Sequence, residues 1–162
     1  MKNKTVLIGL IFIFISLVFF YPIFNGKVPF PGDLLVGEYA PYDSYTFLGY
    51  APHGYPNLGQ DFDVLRLLYP EKEFSIRMSK DLEFPFWNPY NFSGNPHMAS
   101  LQSGSFYPLN LIFFLFPFVY AWTIFILIQP ILAMIFTFLF ARELRLGIKS
   151  SIFAAITFAF SS

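Results

Sequence analysis

Ten acidic and ten basic residues are spread unevenly along this 162-residue chain, and those that could act together lie in one stretch near its middle. Asp61 and Asp63 flank Phe62. In an extended segment that spacing turns both carboxylates to the same side, as chelation of a divalent cation such as Mg or Mn requires. The spacing alone is not specific, because Glu71/Glu73 and Asp81/Glu83 repeat it. Asp63 is equally placed to cap a helical turn over Val64 to Tyr69. Arg66, one turn further on, can pair with Asp63 or grip a phosphate. Asp33 sits in a Pro31-Gly32 turn, where it either bonds its own backbone or is offered for chemistry. His53 and His97 stand apart beside prolines and do not make a metal site. Asn88, Asn95, Gln102 and Asn110 suit sugar hydroxyls and suit turns and caps equally. Trp87, Tyr90 and Tyr107 offer either a stacking surface for a sugar or anchors at a membrane interface.

The elements that must position these groups are dominated by lipid-compatible sequence. Hydrophobic residues make up 56%, aromatics 22% and charged residues only 12%, about half the charged share of a soluble domain. No cysteine is present, which excludes a disulfide framework and thiolate metal sites. Net charge is zero, and no nucleic-acid partner is expected. Thr5 to Phe24 is a nearly unbroken apolar block whose length of roughly 20 residues matches a bilayer core of about 30 Å. It reads as an uncleaved anchor over residues 5–24, since no small-x-small cleavage site follows it. Phe106 to Ala141 is free of charge and interrupted by Pro108, Pro117 and Pro130. It divides into an interfacial piece, 106–117, and a second span, 118–141, or else forms a tight hairpin of two short spans. The bias of basic residues towards the cytoplasm favours one span, because Arg142, Arg145 and Lys149 then share a side with Lys2 and Lys4. Residues 142–149 become a cytoplasmic loop, and 150–162 the start of a third span that reads as cut short within a larger polytopic protein. The chain is therefore expected to be an all-α polytopic membrane protein with a cytoplasmic N-terminus and residues 25–117 extracytoplasmic.

The first outer loop, 25–105, is too long to be a mere connection. One helix is legible within it, near 70–82. Pro70 suits a first turn, Glu71 and Glu73 suit the positive end, and Phe74, Met78 and Leu82 recur at helical spacing. That stripe lies on a membrane surface or packs on the loop's own core. The remaining acidic residues of the helix, Glu71 and Glu73 with Asp81 and Glu83, are expected beside Lys and Arg on a wet face.

Trp87-Asn88-Pro89, Gly94-Asn95-Pro96, Ala99 with Gln102, and Phe106-Tyr107-Pro108-Leu109-Asn110 together resemble the signature of bacterial YfhO-like membrane proteins, related to polyprenol-dependent glycosyltransferases of the C fold class. Pro31 to Leu35 and Asp63 to Pro70 resemble acidic positions of the same loop, and the stretch from Phe140 onward is similar to the family's second-span exit. Residues 36–59 are less familiar. The resemblance implies a hexosyltransferase-type enzyme: inverting transfer of a sugar from a polyprenyl-phosphate carrier to a lipid or cell-envelope polymer, on the outer side of the membrane. It further implies an outer-loop aspartate as general base or metal ligand. Asp33, Asp63 and Asp61 are the candidates for that role, with Asp61 and Asp63 for a metal and Arg66, Trp87, Asn88, Gln102 and Tyr107 for substrate. The other reading is a non-catalytic polytopic protein, a transporter or envelope assembly subunit, whose loop binds a partner.

Overall fold

A computed structural model describes residues 2–46, 62–91 and 93–161. Asp61 and His53 lie outside the described residues. In chain order the described elements are α1 (Lys2–Phe19), a 3-10 turn (Tyr21–Asn25), α2 (Asp33–Glu38), a 3-10 turn (Tyr42–Ser44) and a π-helical stretch (Val64–Leu68). There follow α3 (Tyr69–Lys80), 3-10 turns at Met98–Ser100 and Pro108–Leu111, α4 (Ile112–Leu115), α5 (Phe118–Glu143) and α6 (Ile148–Phe160). Among the described residues β pairing is confined to one bridge, Asn88 with Asn95. The described residues are all-α.

The chain divides into two compact units, one made of Met1–Pro29 with Val119–Ser162, the other of Phe30–Phe118. In the first, α1, α5 and α6 share a core of Ile8, Phe12, Met134, Phe138 and Ala155. Phe12 meets Phe138 edge-on at 6.0 Å, a favourable aromatic geometry, and the small Ala155, fully buried, lets the helices approach closely. Trp122 donates its indole N–H to the Pro29 carbonyl at 3.1 Å. The α-helical ladder of α1 ends at Phe19, short of the apolar block's end at Phe24. Pro22 cannot donate, so the chain tightens into a 3-10 turn closed by Gly26 at φ 76°. By contrast α5 runs unbroken through Pro130, although the missing N–H withdraws the usual donor from the Ile126 carbonyl. Among the described residues α5 alone is long and apolar enough to cross a membrane; Val6–Phe19 and Ile148–Phe160 are shorter apolar helices.

In the second unit the helix around α3 begins earlier than its proline signal suggests. Phe62 and Asp63 are already helical, and the Tyr69 N–H reaches back five residues to the Val64 carbonyl. That wider turn accommodates Pro70, which has no N–H and whose ring crowds the preceding turn. The helix stops at Lys80, and Leu82 lies beyond it at φ 60° and 92% exposed. The stripe of Phe74, Met78 and Leu82 is therefore not the buried face. Glu71, Lys72, Phe74, Ser75 and Ile76 are buried instead, which also corrects the expectation that Glu71 stands on a wet face. The apolar period misses this face because most of its members are polar residues.

Packing at Ala155 separates the interior of the first unit from its outer surface. Ala155→Phe should lower thermal stability in detergent by an overpacking cost of about 1–3 kcal/mol, while Phe153→Ala, at a position 73% exposed, should leave the melting temperature nearly unchanged. Equal effects of the two would mean that the three helices do not pack as described.

Candidate functional site

A buried polar network joins α3 to the chain from His97 to Asn110. The Lys72 ammonium donates to the Ser103 carbonyl at 2.7 Å and to Asn110 Oδ1 at 3.1 Å, with the Gly104 carbonyl at 3.4 Å. Asn110 Nδ2 in turn donates to the carbonyls of Gly104 and Ser105 at 2.8 and 2.9 Å. One turn along α3, Ser75 Oγ lies 2.7 Å from His97 Nε2 and 3.1 Å from Ser105 Oγ, which is 2.8 Å from Ser103 Oγ. Lys72, Ser75, His97, Ser103 and Asn110 are all buried. Hydrogen bonds to a charged group are worth about 1.5–3 kcal/mol, and a buried carbonyl left unpaired costs about 1–3 kcal/mol, so Lys72 is a principal tie between α3 and this loop.

The Ser75–His97 contact has the atoms of a nucleophile and its base. Each residue is only 1% exposed, so the pair is closed to a substrate and acts as scaffold. Phe74 covers the imidazole edge-on at 4.9 Å. Burial, helped by the Lys72 charge, holds the His97 pKa below its ordinary 6.5. Burial likewise lowers the pKa of Lys72 and raises that of Glu71. His97 Nδ1 has no hydrogen-bond partner in the protein, so a second ring proton would gain a charge without gaining an acceptor.

Just upstream the chain folds back on itself. Asn88 and Asn95 exchange two backbone hydrogen bonds of 2.9 Å, and Asn88 Oδ1 accepts from the Tyr90 N–H at 3.0 Å. Gly94 takes φ 110°, and a Cβ there would come within 2.6 Å of the Trp87 ring nitrogen. Trp87 lies flat against glycine for that reason, with its outer side exposed. Beside the network a recess of about 250 Å³ is lined by Ser79, Glu83, Phe84, Pro85 and the network's own Ser105, with Phe106 at its edge.

The residues singled out from the sequence fall into three places. Asp33 is the half-buried first residue of α2. Asp63 is exposed and helical, with no side-chain capping bond, so the capping role foreseen for it is absent. Arg66 does not pair with Asp63. Its guanidinium lies 4.2 Å from the Phe62 ring centroid and donates to the Tyr39 hydroxyl at 2.9 Å, tying this helix to the residue that follows α2. Asn88 is buried in the hairpin, whereas Trp87, Gln102 and Tyr107 are exposed. Among the described residues no three His, Asp or Glu side chains converge as a metal site requires. Lys72, Ser75, Ser103 and Asn110 carry no shared signature in the sequence, and His97 is isolated there because Ser75 lies 22 residues away. A lysine and a serine at i and i+3, on the same face as Phe74 and Ile76, were the available signal.

The lowered His97 pKa fixes a direction for pH dependence. The unfolded imidazole binds a proton more readily than the folded one, so this contribution to stability is complete above about pH 6.5 and is lost as pH falls through the folded value. Glu71 acts the opposite way, stabilising below its unfolded 4.5 and losing that contribution as pH rises through its folded value. Lys72, lowered by burial, contributes fully above its unfolded 10.5 and loses that contribution as pH falls through its folded value. Comparison with His97→Gln isolates the imidazole: between pH 7.5 and 5 the melting temperature of the parent protein should fall more steeply than that of the variant. Parallel curves would show that His97 stays equally protonatable in both states.

No protein-family model, curated protein or solved structure matches this chain.

Proposed function

We propose that the protein is a polytopic membrane glycosyltransferase similar to YfhO-like proteins, with α1, α5 and α6 in the bilayer and Phe30–Phe118 on its extracytoplasmic side. It would transfer a sugar from a polyprenyl-phosphate carrier to a lipid or envelope-polymer hydroxyl. The observation that carries the membrane part is the outer surface of the first unit. Val6, Leu10 and Phe14 on α1, Phe136 and Leu139 on α5, and Phe153 and Phe158 on α6 are all exposed. In water such a surface would drive association, whereas in lipid it needs no cover, and the helices satisfy their own backbone groups. Arg142, Arg145 and Lys149 at the α5–α6 connection support a cytoplasmic assignment for that turn.

The transfer chemistry needs a carboxylate to take the acceptor hydroxyl's proton and a cation to hold the leaving phosphate. Asp33 and Asp63 are the described candidates for the base. The Arg66 guanidinium, oriented by Phe62 and Tyr39, is suited to a departing phosphate. The recess lined by Phe84 and Phe106, with hydroxyls from Ser79 and Ser105, supports a place for a sugar ring. Asp63 is exposed and Asp61 lies outside the described residues; among the described residues no three His, Asp or Glu side chains converge beside Asp63.

The test uses the full chain in its native membrane. Asp33→Asn or Asp63→Asn keeps size and removes charge, so loss of the base should cut transfer by about 10² or more at unchanged expression. In the same cells Ser100→Cys should react with an impermeant thiol reagent and Gly147→Cys should not. Normal transfer in both Asn variants would favour a non-catalytic role, and labelling at Gly147 alone would invert the topology.

A further inference from the structure

The first unit carries a groove that its own helices do not fill. A cavity of about 410 Å³ lies between the end of α1, the middle of α5 and the end of α6, walled by Phe20, Ile126, Pro130, Ala133 and Ala159 among others. A second recess, of about 240 Å³, continues along the turn after α1 past Pro22, Ile23 and Val28 to Lys27. Phe19 and Phe20 line both. Among the described residues neither recess has an acidic side chain in its wall, and Lys27 is the one charged side chain in either.

From this we infer that the groove holds one anionic phospholipid of the surrounding bilayer, with an acyl chain against Ala133 and Ala159 and its phosphate on the Lys27 ammonium. The inference rests on the membrane placement proposed above. Three features select this occupant. Apart from Gln129 the walls are apolar where a hydrocarbon chain would run, and the cavity sits where Pro130 prevents α5 from presenting a regular surface. The cation stands just past the end of α1, at the depth where lipid headgroups lie for a helix ending at the interface. A reacting lipid would in addition need a carboxylate at its phosphate end, and this wall supplies none, so the lipid is resident and not a substrate. One lysine near an anionic headgroup contributes about 1 kcal/mol, equivalent to roughly fivefold in retention.

The full chain is extracted from vesicles containing equal dioleoyl-phosphatidylglycerol and dioleoyl-phosphatidylcholine, purified in mild detergent, and its retained lipids are counted by mass spectrometry. Phosphatidylglycerol should exceed phosphatidylcholine roughly fivefold. Lys27→Glu should abolish the preference, Lys27→Arg should keep it, and Ala133→Phe should reduce total retained lipid by filling the groove. An unchanged ratio in Lys27→Glu overturns the inference. Displacement of phosphatidylglycerol by equimolar polyprenyl phosphate also overturns it, in favour of the carrier. Failure of the chain to remain with membranes after a carbonate wash would instead sink the membrane reading itself, whereas a membrane-held chain without lipid preference removes only this site.

Discussion

A lysine ammonium cannot enter a protein interior unless the protein replaces its water, and the organisation of the second unit follows from how Lys72 is solvated. Three oxygens, two from the backbone at 103 and 104 and one from the Asn110 side chain, take that place. They can do so only while the chain from Ser103 to Asn110 keeps its turns, and Asn110 helps hold those turns by donating to the same Gly104 carbonyl and to that of Ser105. The charge thus dictates a loop conformation, and the loop dictates which face of α3 is buried. Ser75 and His97 extend the same arrangement towards the hairpin. Within the hairpin the Trp87 ring lies against the Gly94 backbone. Removing one partner from such a network costs more than the network gains over an apolar core, which makes it a device for specifying one loop shape more than a source of stability.

The first unit obeys a different constraint. Its buried centre is small, and large apolar side chains stand exposed on the outer faces of α1, α5 and α6. In the bilayer placement proposed above, these helices would associate through close packing at small residues such as Ala155, not through expulsion of water. The prolines act on it locally. Pro22 ends the α-helical ladder of α1, whereas Pro130 is absorbed within α5 and leaves a groove beside it.

Much of the helical layout was legible from the sequence because it depends on local signals. The charge-free run after Pro117 corresponds to α5, and Pro70 with Glu71 marks the region of α3. What escaped was long-range. His97 looked solitary because its partner Ser75 lies 22 residues away in sequence, and Lys72 looked solvated because period counting scores a lysine as surface. The stripe through Leu82 failed for a local reason: the chain leaves the helix at Asp81 and turns through positive φ at Leu82. Trp87 and Asn88 were recognised as a motif, but the distinction between them, one exposed and one buried, comes from the bridge to Asn95, which spacing alone does not reveal.

If Lys72 is the tie between α3 and the loop, the backbone amides of Tyr107 and Asn110, each bonded within the loop, should open together with those of α3. Hydrogen exchange of the full chain in detergent measures this directly. The account predicts that peptides covering 103–111 and 69–80 share one slow rate, and that Lys72→Met accelerates 103–111 by at least tenfold, about 1.4 kcal/mol, while α5 is unaffected. Fast exchange at 103–111 in the parent protein, or an unchanged rate in Lys72→Met, would contradict it.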